Sequence, residues 1–301
     1  MKFLVKKRTY TLVLLTLLLS ANLVGYAGAY LLTNYRPSEQ KGIGFARPKN
    51  YKLPSDRGLE YTTQRIDISD SEWLETWSIE PVVEARGTVI LFHGKDGIKS
   101  NLIEPAKTFH DLGYRALLVD FRGSGKSSGN VTTIGANESK DVVLAVNYIK
   151  QNYGGPIVLY GFSMGSAAIL KAISEDKIEP DAIVLEHPFA RLTSAVKYRL
   201  KKSKVPTSPI GELLVFWGGI QHGFNGFAHN PVNYAARVKC PTLIVYGEQD
   251  VTVDKADVEE LYAQIPTHKK LVAFSQAQHE LLVKAQPQLW RSSISSFLKE
   301  L

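Results

Sequence analysis

The sequence has only one cysteine, Cys240, among its 301 residues. A single thiol cannot form an internal disulfide, and it cannot supply a cysteine-based zinc cluster. The sequence also lacks H-E-x-x-H and any comparable spacing of metal ligands. We therefore expect no metal, and we expect no cofactor either.

A strongly basic domain is also missing. The formal net charge is +7, but residues 1–40 contribute a net +4, which leaves +3 for residues 41–301. A nucleic-acid-binding face needs a stronger positive balance, so we expect no nucleic-acid partner. With 44% hydrophobic and 22% charged residues, the composition is that of an ordinary globular protein.

Residues 9–32 contain no charged side chain over 24 positions and follow the basic triplet at 6–8. About 20 apolar residues span a bilayer core, so residues 1–35 are predicted to form a membrane anchor. The small residues at 27–29 have the form of a signal-peptide cleavage site, and secretion after cleavage is the alternative. The basic flank predicts a single-pass protein with a cytoplasmic N-terminus and the remainder outside the cytoplasm.

The remainder of the chain has the pattern of one α/β domain over 61–301, after a linker at 36–60. Segments 64–70 and 73–80 alternate apolar and polar side chains, which predicts an antiparallel hairpin. Beyond them, short apolar runs alternate with segments of helical periodicity. The runs lie at 88–92, 115–120, 156–160, 182–185, 242–246 and 270–274. This alternation predicts a mostly parallel sheet with helices on both faces.

One interval, residues 190–239, interrupts this alternation and is predicted to form a short lid insertion. Its aromatic residues are the predicted lining of an acyl-binding pocket; they are Phe216, Trp217, Phe224 and Phe227. The alternative is a cap helix that simply buries its own apolar face. A basic run at 191–204 contains no acid, and is either a solvated face or a contact with anionic lipid beside the anchor.

Residues 161–165 read GFSMG, a G-x-S-x-G motif between a predicted strand and a predicted helix. The glycines allow the serine to occupy a strained turn that exposes its hydroxyl at the carboxyl end of the sheet. Ser163 is therefore the candidate nucleophile. Such a serine needs a base, and the base needs an orienting acid. Asp250 and His279 each follow an apolar run and are the candidates for these roles.

Three other residues compete for the roles of acid and base. Glu186 and His187 close the fourth apolar run, and Asp254 lies one turn beyond Asp250. Placement at the end of a strand favours Asp250 as the acid.

A tetrahedral oxyanion needs two hydrogen-bond donors. One is predicted to be the backbone N–H of Met164, which follows the nucleophile. The other is the N–H of Lys95, in the loop HGKDG at 93–97 after the first main strand. In this loop Gly94 allows close approach of the backbone, and His93 is interpreted as a structural hydrogen-bonding residue.

A second glycine-rich segment, LVDFRGSGKSSG at 118–129, contains Gly-Lys-Ser as a phosphate-binding loop does. The complete motif needs a glycine five residues before Gly125, but Asp120 occupies that position. A carboxylate there would repel phosphate. We therefore expect no nucleotide, although a nucleotide-binding protein is one alternative class.

The sequence resembles the α/β-hydrolase superfamily, in particular bacterial serine hydrolases of the serine aminopeptidase S33-like, monoacylglycerol-lipase-like and BEM46-like groups. The motifs that carry the resemblance are HGKDG (93–97), DFRGSGKS (120–127), GFSMG (161–165), HNPVNYA (229–235), CPTLIVYGEQD (240–250) and AQHE (277–280). The order Ser, Asp, His is the one used by this architecture. Gln278 stands before His279 where such families commonly have glycine.

The resemblance implies an activity as well as a fold. It implies a structural turn at 120–127 and a serine hydrolase acting on a carboxylic ester, including lipid-like acyl esters. With the anchor predicted at residues 1–35, we expect this hydrolase to be attached to a membrane. The alternatives are an amide or peptide hydrolase, and a catalytically silent binding protein of the same fold.

Overall fold

The computed structural model describes residues 2–36, 45–47 and 51–301, with side chains described from residue 9 onward. Residues 37–44 and 48–50 of the predicted linker at 36–60, and the side chains of the basic triplet at 6–8, lie outside the described residues. The helices are α1 (Lys2–Thr33), α2 (Ile103–Asp111), α3 (Glu138–Asn152), α4 (Met164–Glu175), α5 (Leu192–Lys202), α6 (Ile210–His222), α7 (Pro231–Ala235), α8 (Lys255–Gln264), α9 (Leu282–Ala285) and α10 (Pro287–Leu298). The strands are β1 (Tyr35–Arg36), β2 (Phe45–Ala46), β3 (Thr62–Asp67), β4 (Trp73–Ile79), β5 (Thr88–Phe92), β6 (Arg115–Val119), β7 (Ile157–Phe162), β8 (Ala182–Glu186), β9 (Thr242–Gly247) and β10 (Lys269–Phe274).

The main sheet has the strand order β10-β9-β8-β7-β5-β6-β4-β3. Strand β4 runs antiparallel to both of its neighbours, and every other pairing in this sheet is parallel. The predicted mostly parallel sheet is confirmed, and β3 and β4 form the predicted hairpin. Strands β5, β8 and β9 are buried along their whole length, which explains why they read as continuous apolar runs rather than alternating ones.

Helices cover both faces of this sheet. On one face α3, α4, α7 and α8 pack over apolar side chains that include Ile90 and Leu159. On the other face α2, α9 and α10 cover a cluster that includes Leu91 and Trp290. The parallel register places the carboxyl ends of β5, β7, β8 and β9 along one edge. The loops that follow these strands therefore meet in space.

Residues 190–239, called the cap segment below, form α5, α6 and α7. Helix α6 packs against α5 and also against the C-terminal part of α1. The ring of Trp217 makes an edge contact with Tyr26 of α1, with 5.4 Å between centroids. Gln221 donates from Nε2 to the carbonyl of Tyr26 at 2.8 Å. The two segments are therefore in direct contact although nearly two hundred residues separate them in sequence.

Helix α1 contains one segment, Thr9–Thr33, that is long and apolar enough to cross a membrane. Most of its large side chains are exposed, as for Leu19 at 71% and Leu23 at 69%. At about 1.5 Å per residue, the 32 residues of α1 make a helix about 48 Å long. Only its C-terminal part packs on the cap segment, so a long apolar length of the helix has no protein cover among the described residues.

Candidate active site

Ser163 lies on the sharp turn between β7 and α4, with φ 51° and ψ −106°. Non-glycine residues rarely adopt a positive φ, so the surrounding structure must hold this turn. The flanking glycines are required sterically. A Cβ on Gly161 would lie 2.5 Å from the backbone N of Ser166, and one on Gly165 would lie 2.4 Å from the carbonyl oxygen of Phe92. The sequence GFSMG thus folds into a turn that larger residues would prevent.

The structure brings together the three side chains that the sequence proposed as a triad. Nε2 of His279 lies 3.1 Å from Oγ of Ser163. Nδ1 of the same ring lies 2.6 Å from Oδ2 of Asp250. A chain of hydrogen bonds can therefore run from the serine hydroxyl through the imidazole to the carboxylate, as nucleophilic catalysis by serine requires.

Backbone donors hold the Asp250 carboxylate in position. Its Oδ1 accepts hydrogen bonds from the N–H groups of Thr252 and Val253, at 2.7 and 3.0 Å. Burial raises the pKa of Asp250, but the contacts with His187 and His279 outweigh it, so this pKa lies well below its ordinary value. Asp250 is therefore ionised at neutral pH and can accept a hydrogen bond from Nδ1–H of His279.

His279 has a pKa below its ordinary value. Burial is the main cause, and the nearby positive charge of Arg199 acts in the same direction, while the hydrogen bond with Asp250 opposes it. The imidazole is therefore neutral at pH 7, which is the form that can accept a proton from Ser163.

Glu186 and Asp254, the two other candidates for the acid, form hydrogen bonds away from His279. The buried carboxylate of Glu186 accepts hydrogen bonds from the hydroxyl of Tyr160 and from the backbone N–H of Leu282, at 3.0 and 2.7 Å. It also accepts one from the indole N–H of Trp290 at 2.8 Å. Asp254 caps α8 by accepting from the N–H of Ala256 at 2.9 Å. Both carboxylates thus have structural partners.

His187 lies beside the triad and is buried. Its Nε2 lies 2.9 Å from the carbonyl of Glu280. Its Nδ1 lies 2.8 Å from Oδ2 of Asp250, but off the line of a hydrogen bond. Because the other ring nitrogen contacts a carbonyl, His187 is held next to the Asp250 carboxylate rather than next to Ser163.

The donor atoms of His187, Asp250 and His279 lie within 4.8 Å of one another, a spacing that could hold a metal ion. An ion there would take up the carboxylate oxygen that contacts Nδ1 of His279. It would therefore compete with the hydrogen bond that orients the ring toward Ser163. The expectation of no metal remains a prediction.

The loop after β5 lies beside the nucleophile turn. A Cβ on Gly94 would lie 2.7 Å from the ring of Phe162, so only glycine allows the loop to come this close to β7. His93 accepts at Nε2 from the N–H of Phe121 at 3.2 Å, and its Nδ1 lies 2.7 Å from the carbonyl of Gly94. Burial lowers the pKa of His93, so this ring is neutral and ties two loops together.

Lys95 and Met164 are the residues whose N–H groups are predicted to bind an oxyanion. Met164 is the first residue of α4, where backbone N–H groups have no acceptor within the helix. Lys95 follows Gly94, and its ammonium group binds the carboxylate of Asp96 at 2.7 Å. Its side chain is thus bound to an acid, and the role of the two backbone N–H groups as oxyanion donors remains a prediction.

In the loop at 120–127, the side chain of Asp120 accepts hydrogen bonds from within the loop and from Lys99. Oδ2 of Asp120 accepts from the buried ammonium of Lys99 at 2.6 Å and from the N–H of Lys126 at 3.1 Å. Ser127 donates to the carbonyl of Asp120 at 2.5 Å. A Cβ on Gly125 would lie 2.0 Å from this carboxylate. The side chain of Asp120 thus fills the space that a bound phosphate would need, and Gly125 leaves room for it.

A narrow apolar cavity of about 50 Å³ lies among the cap segment, α1 and the loop that follows β6. Phe224 is part of its lining. The other three aromatic residues predicted to line a pocket lie elsewhere: Trp217 packs on Tyr26, and Phe216 and Phe227 are more than 40% exposed. A larger open depression of about 790 Å³ lies beside Pro180 and Cys240. These residues precede β8 and β9, so the depression lies at the amino ends of the strands, and Ser163 lies at the carboxyl ends.

The strand order and the serine turn define the α/β-hydrolase class. A family model for serine aminopeptidase S33 matches residues 83–218 and 220–286. This match covers more than half of the chain, and the chain belongs to that family.

Individual relatives agree with this assignment. The uncharacterized protein YqkD of Bacillus subtilis is 26% identical over 218 residues, which are 70% of this chain and 70% of YqkD. Lysophosphatidylserine lipase ABHD12 of Danio rerio is 23% identical over 301 residues, covering 90% of this chain and 74% of that protein. The esterase Pf2001 of Pyrococcus furiosus is 27% identical with a TM-score of 0.71, covering 88% of this chain and 98% of that one.

Sequence reasoning missed the part of α1 that lies beside the cavity. Ala29, Leu32 and Thr33 are all part of the cavity lining. The sequence analysis predicted only a membrane span for this segment, and did not predict its contact with the cap segment. A signal was present, because Gly25 and Ala29 are small residues four positions apart, a spacing typical of closely packed helices.

Proposed function

We propose that this protein is a serine hydrolase that cleaves a carboxylic ester through an acyl-enzyme intermediate. The observation that carries the proposal is the hydrogen-bonded series from Oγ of Ser163 through His279 to Asp250. The strained turn presents the hydroxyl, the neutral imidazole can accept its proton, and the ionised carboxylate can stabilise the imidazolium that forms.

The reaction proceeds in two halves. Oγ of Ser163 attacks the ester carbonyl while Nε2 of His279 takes its proton, and the oxyanion is held by the N–H groups of Lys95 and Met164. His279 then returns the proton to the departing alkoxide, which leaves an acyl-serine. Water attacks this acyl group with His279 again acting as base, and the acid is released with Ser163 restored.

An ester is the favoured substrate over a peptide. The relatives include a protein named as a lysophosphatidylserine lipase and one named as an esterase. An aminopeptidase must also bind the free ammonium of its substrate, which calls for an acid that is not already paired. Beside the site, Asp96 is bound to Lys95 and to the hydroxyl of Tyr35, and Asp250 is bound to His279.

A substrate panel tests this choice. The full chain in detergent micelles is given p-nitrophenyl esters from acetyl to dodecanoyl, and amino-acid p-nitroanilides in parallel. We expect turnover of the esters and none of the anilides, unchanged by EDTA or ATP. Faster hydrolysis of the anilides would favour the peptidase alternative. Loss of ester turnover in EDTA, restored by Zn²⁺, would instead favour a metal at His187, Asp250 and His279.

We also propose that α1 anchors the protein, with the hydrolase domain outside the cytoplasm. The uncharged segment, its exposed apolar side chains and the basic triplet at 6–8 support this orientation. Cleavage at 27–29 would cut within the part of α1 that packs on α6, which argues against the signal-peptide alternative. A C-terminal fusion to alkaline phosphatase is expected to be active in a bacterial host. An inactive fusion, with a cytoplasmic reporter active instead, would reverse the orientation.

A further inference from the structure

The apolar cavity is built from three separate parts of the chain. Helix α1 contributes Ala29, Leu32 and Thr33. The loop after β6 contributes Thr133 and Ile134. The cap segment contributes the remainder: Leu192, Val196, Leu214, Val215, Gly218, Gly219 and Phe224. The lining is almost entirely apolar, which suits a hydrocarbon chain and not a polar group.

This cavity lies close to the nucleophile turn. Thr132 immediately precedes the lining residue Thr133, and its hydroxyl lies 3.4 Å from Sδ of Met164, the residue after Ser163. The N–H of Thr132 also donates to the carbonyl of Thr33 at 2.8 Å. The end of α1 and the residue beside the nucleophile are therefore linked through one short loop.

Small residues of α1 allow this helix to pack closely against α6. A Cβ on Gly25 would lie 3.0 Å from Cβ of Leu213, and one on Gly28 would lie 3.0 Å from Cδ2 of Leu214. Beyond the helix, the hydroxyl of Tyr35 donates to Asp96 at 2.6 Å, in the loop that contains Lys95. The helix is thus held at two points, the cap segment and the predicted oxyanion loop.

We propose that the acyl chain of the substrate binds in the seam between α1 and α6, so that the membrane anchor itself is one wall of the acyl site. This proposal rests on the proposed ester hydrolase function. A volume of about 50 Å³ is well below the 300–1,000 Å³ usual for ligand pockets. A medium or long chain therefore enters only when α1 and α6 separate at the seam. Because the exposed part of α1 is the part long enough to lie in lipid, the seam opens where a membrane lipid can reach it.

Two substitutions on α1 test the wall in opposite directions. Ala29→Val narrows the cavity and is expected to shift the preferred p-nitrophenyl ester to a shorter chain. Leu32→Ala widens it and is expected to shift the preference to a longer chain. Each methylene moved out of water changes binding about fourfold, so kcat/KM at the former optimum should change by that factor or more. The quantity compared among the variants is the ratio of medium-chain to acetyl ester turnover.

The matched control is Leu23→Ala, on the same helix but 69% exposed, which should keep the original chain-length profile. The proposal would be overturned if Ala29→Val and Leu32→Ala hydrolyse the acetyl ester but keep the chain-length profile of the unmodified protein. Failure of the unmodified protein to hydrolyse any ester would instead count against the proposed function.

A cross-link tests whether the seam must open. Cβ atoms in disulfides lie about 3.5–4.5 Å apart. A Cβ on Gly25 would lie 3.0 Å from Cβ of Leu213, so the pair Gly25→Cys and Leu213→Cys needs these atoms to move apart by only about half an ångström. In the oxidised protein we expect medium-chain ester turnover to fall at least about tenfold, with acetyl turnover kept and full recovery in dithiothreitol. Each single-cysteine variant is the control. Equal medium-chain turnover before and after reduction would show that the acyl chain does not enter this seam.

Discussion

Replacing Ser163 by alanine is expected to abolish covalent labelling by a fluorophosphonate and to lower ester hydrolysis by about four to six orders of magnitude. The reason is that the whole attack depends on one hydroxyl, held at φ 51° on the turn after β7 and 3.1 Å from Nε2 of His279. Alanine fits the same turn, so the folded structure and its melting temperature should be retained. Labelling by gel fluorescence and turnover of the acetyl ester are the two measurements.

The control for this result is Ser292→Ala, an exposed serine on α10 whose hydroxyl donates to the carbonyl of Leu289. It should label and turn over like the unmodified protein. A folded Ser163→Ala protein that still hydrolyses the ester at the original rate would remove Ser163 from the mechanism. It would also leave a metal ion at His187, Asp250 and His279 as the remaining explanation of the hydrolysis.

The second large effect is expected for Asp250→Asn, which should lower kcat by about 10⁴-fold. The carboxylate accepts from Nδ1 of His279 at 2.6 Å, and so leaves Nε2 free to take the proton of Ser163. An amide that donates to Nδ1 would place the ring proton on Nε2 instead, and that tautomer cannot act as base. Rapid-mixing or steady-state kinetics on the acetyl ester would measure the loss.

Asp254→Asn is a matched control for this substitution, four residues away and of the same chemistry. Asp254 caps α8, and asparagine is an equally good capping residue, so nearly unchanged activity is expected. If the two variants lost activity equally, the effect at Asp250 would be structural and not tied to the ring of His279.

The pH profile of the unmodified protein supplies an independent check on the same pair. Burial lowers the pKa of His279 below 6.5, and the protonated ring cannot accept a proton. The value of kcat/KM should therefore fall on acidification with a midpoint below 6.5, and should be level at neutral pH. A midpoint well above 6.5 would contradict a lowered pKa for His279.

Much of the fold could be predicted because its signals are local. Strands β5, β8 and β9 are buried along their length, so each is a short continuous apolar run in the sequence. In the hairpin of β3 and β4, Ile66 and Leu74 are buried while their neighbours Arg65 and Glu75 are at least partly exposed, and this part of the sequence alternates. The glycines of GFSMG also carry a local signal, since a Cβ at Gly161 or Gly165 would collide with backbone.

The candidate site was only partly predictable. Placement after apolar runs and the order along the chain predicted Ser163, Asp250 and His279 as a triad, but several other acids and histidines also follow apolar runs. Only the packing shows that Glu186 binds Trp290 while Asp250 lies against His279, because these contacts join residues that are 29 to 104 positions apart. The contact of His187 with Asp250 likewise has no counterpart in sequence spacing.

By itself, the sequence determined the sheet, the serine turn and the presence of a long uncharged N-terminal helix. These features follow from hydrophobic period and from backbone conformations that only glycine permits, both of which act within a few residues. The tertiary structure alone decided that the end of this helix packs on α6 and forms part of the apolar cavity. The apolar side chains of a membrane span and those of a packed helix look alike in sequence. The small residues Gly25 and Ala29 allow close packing, but only the structure shows that α6 is the partner, through the close approach of Gly25 to Leu213.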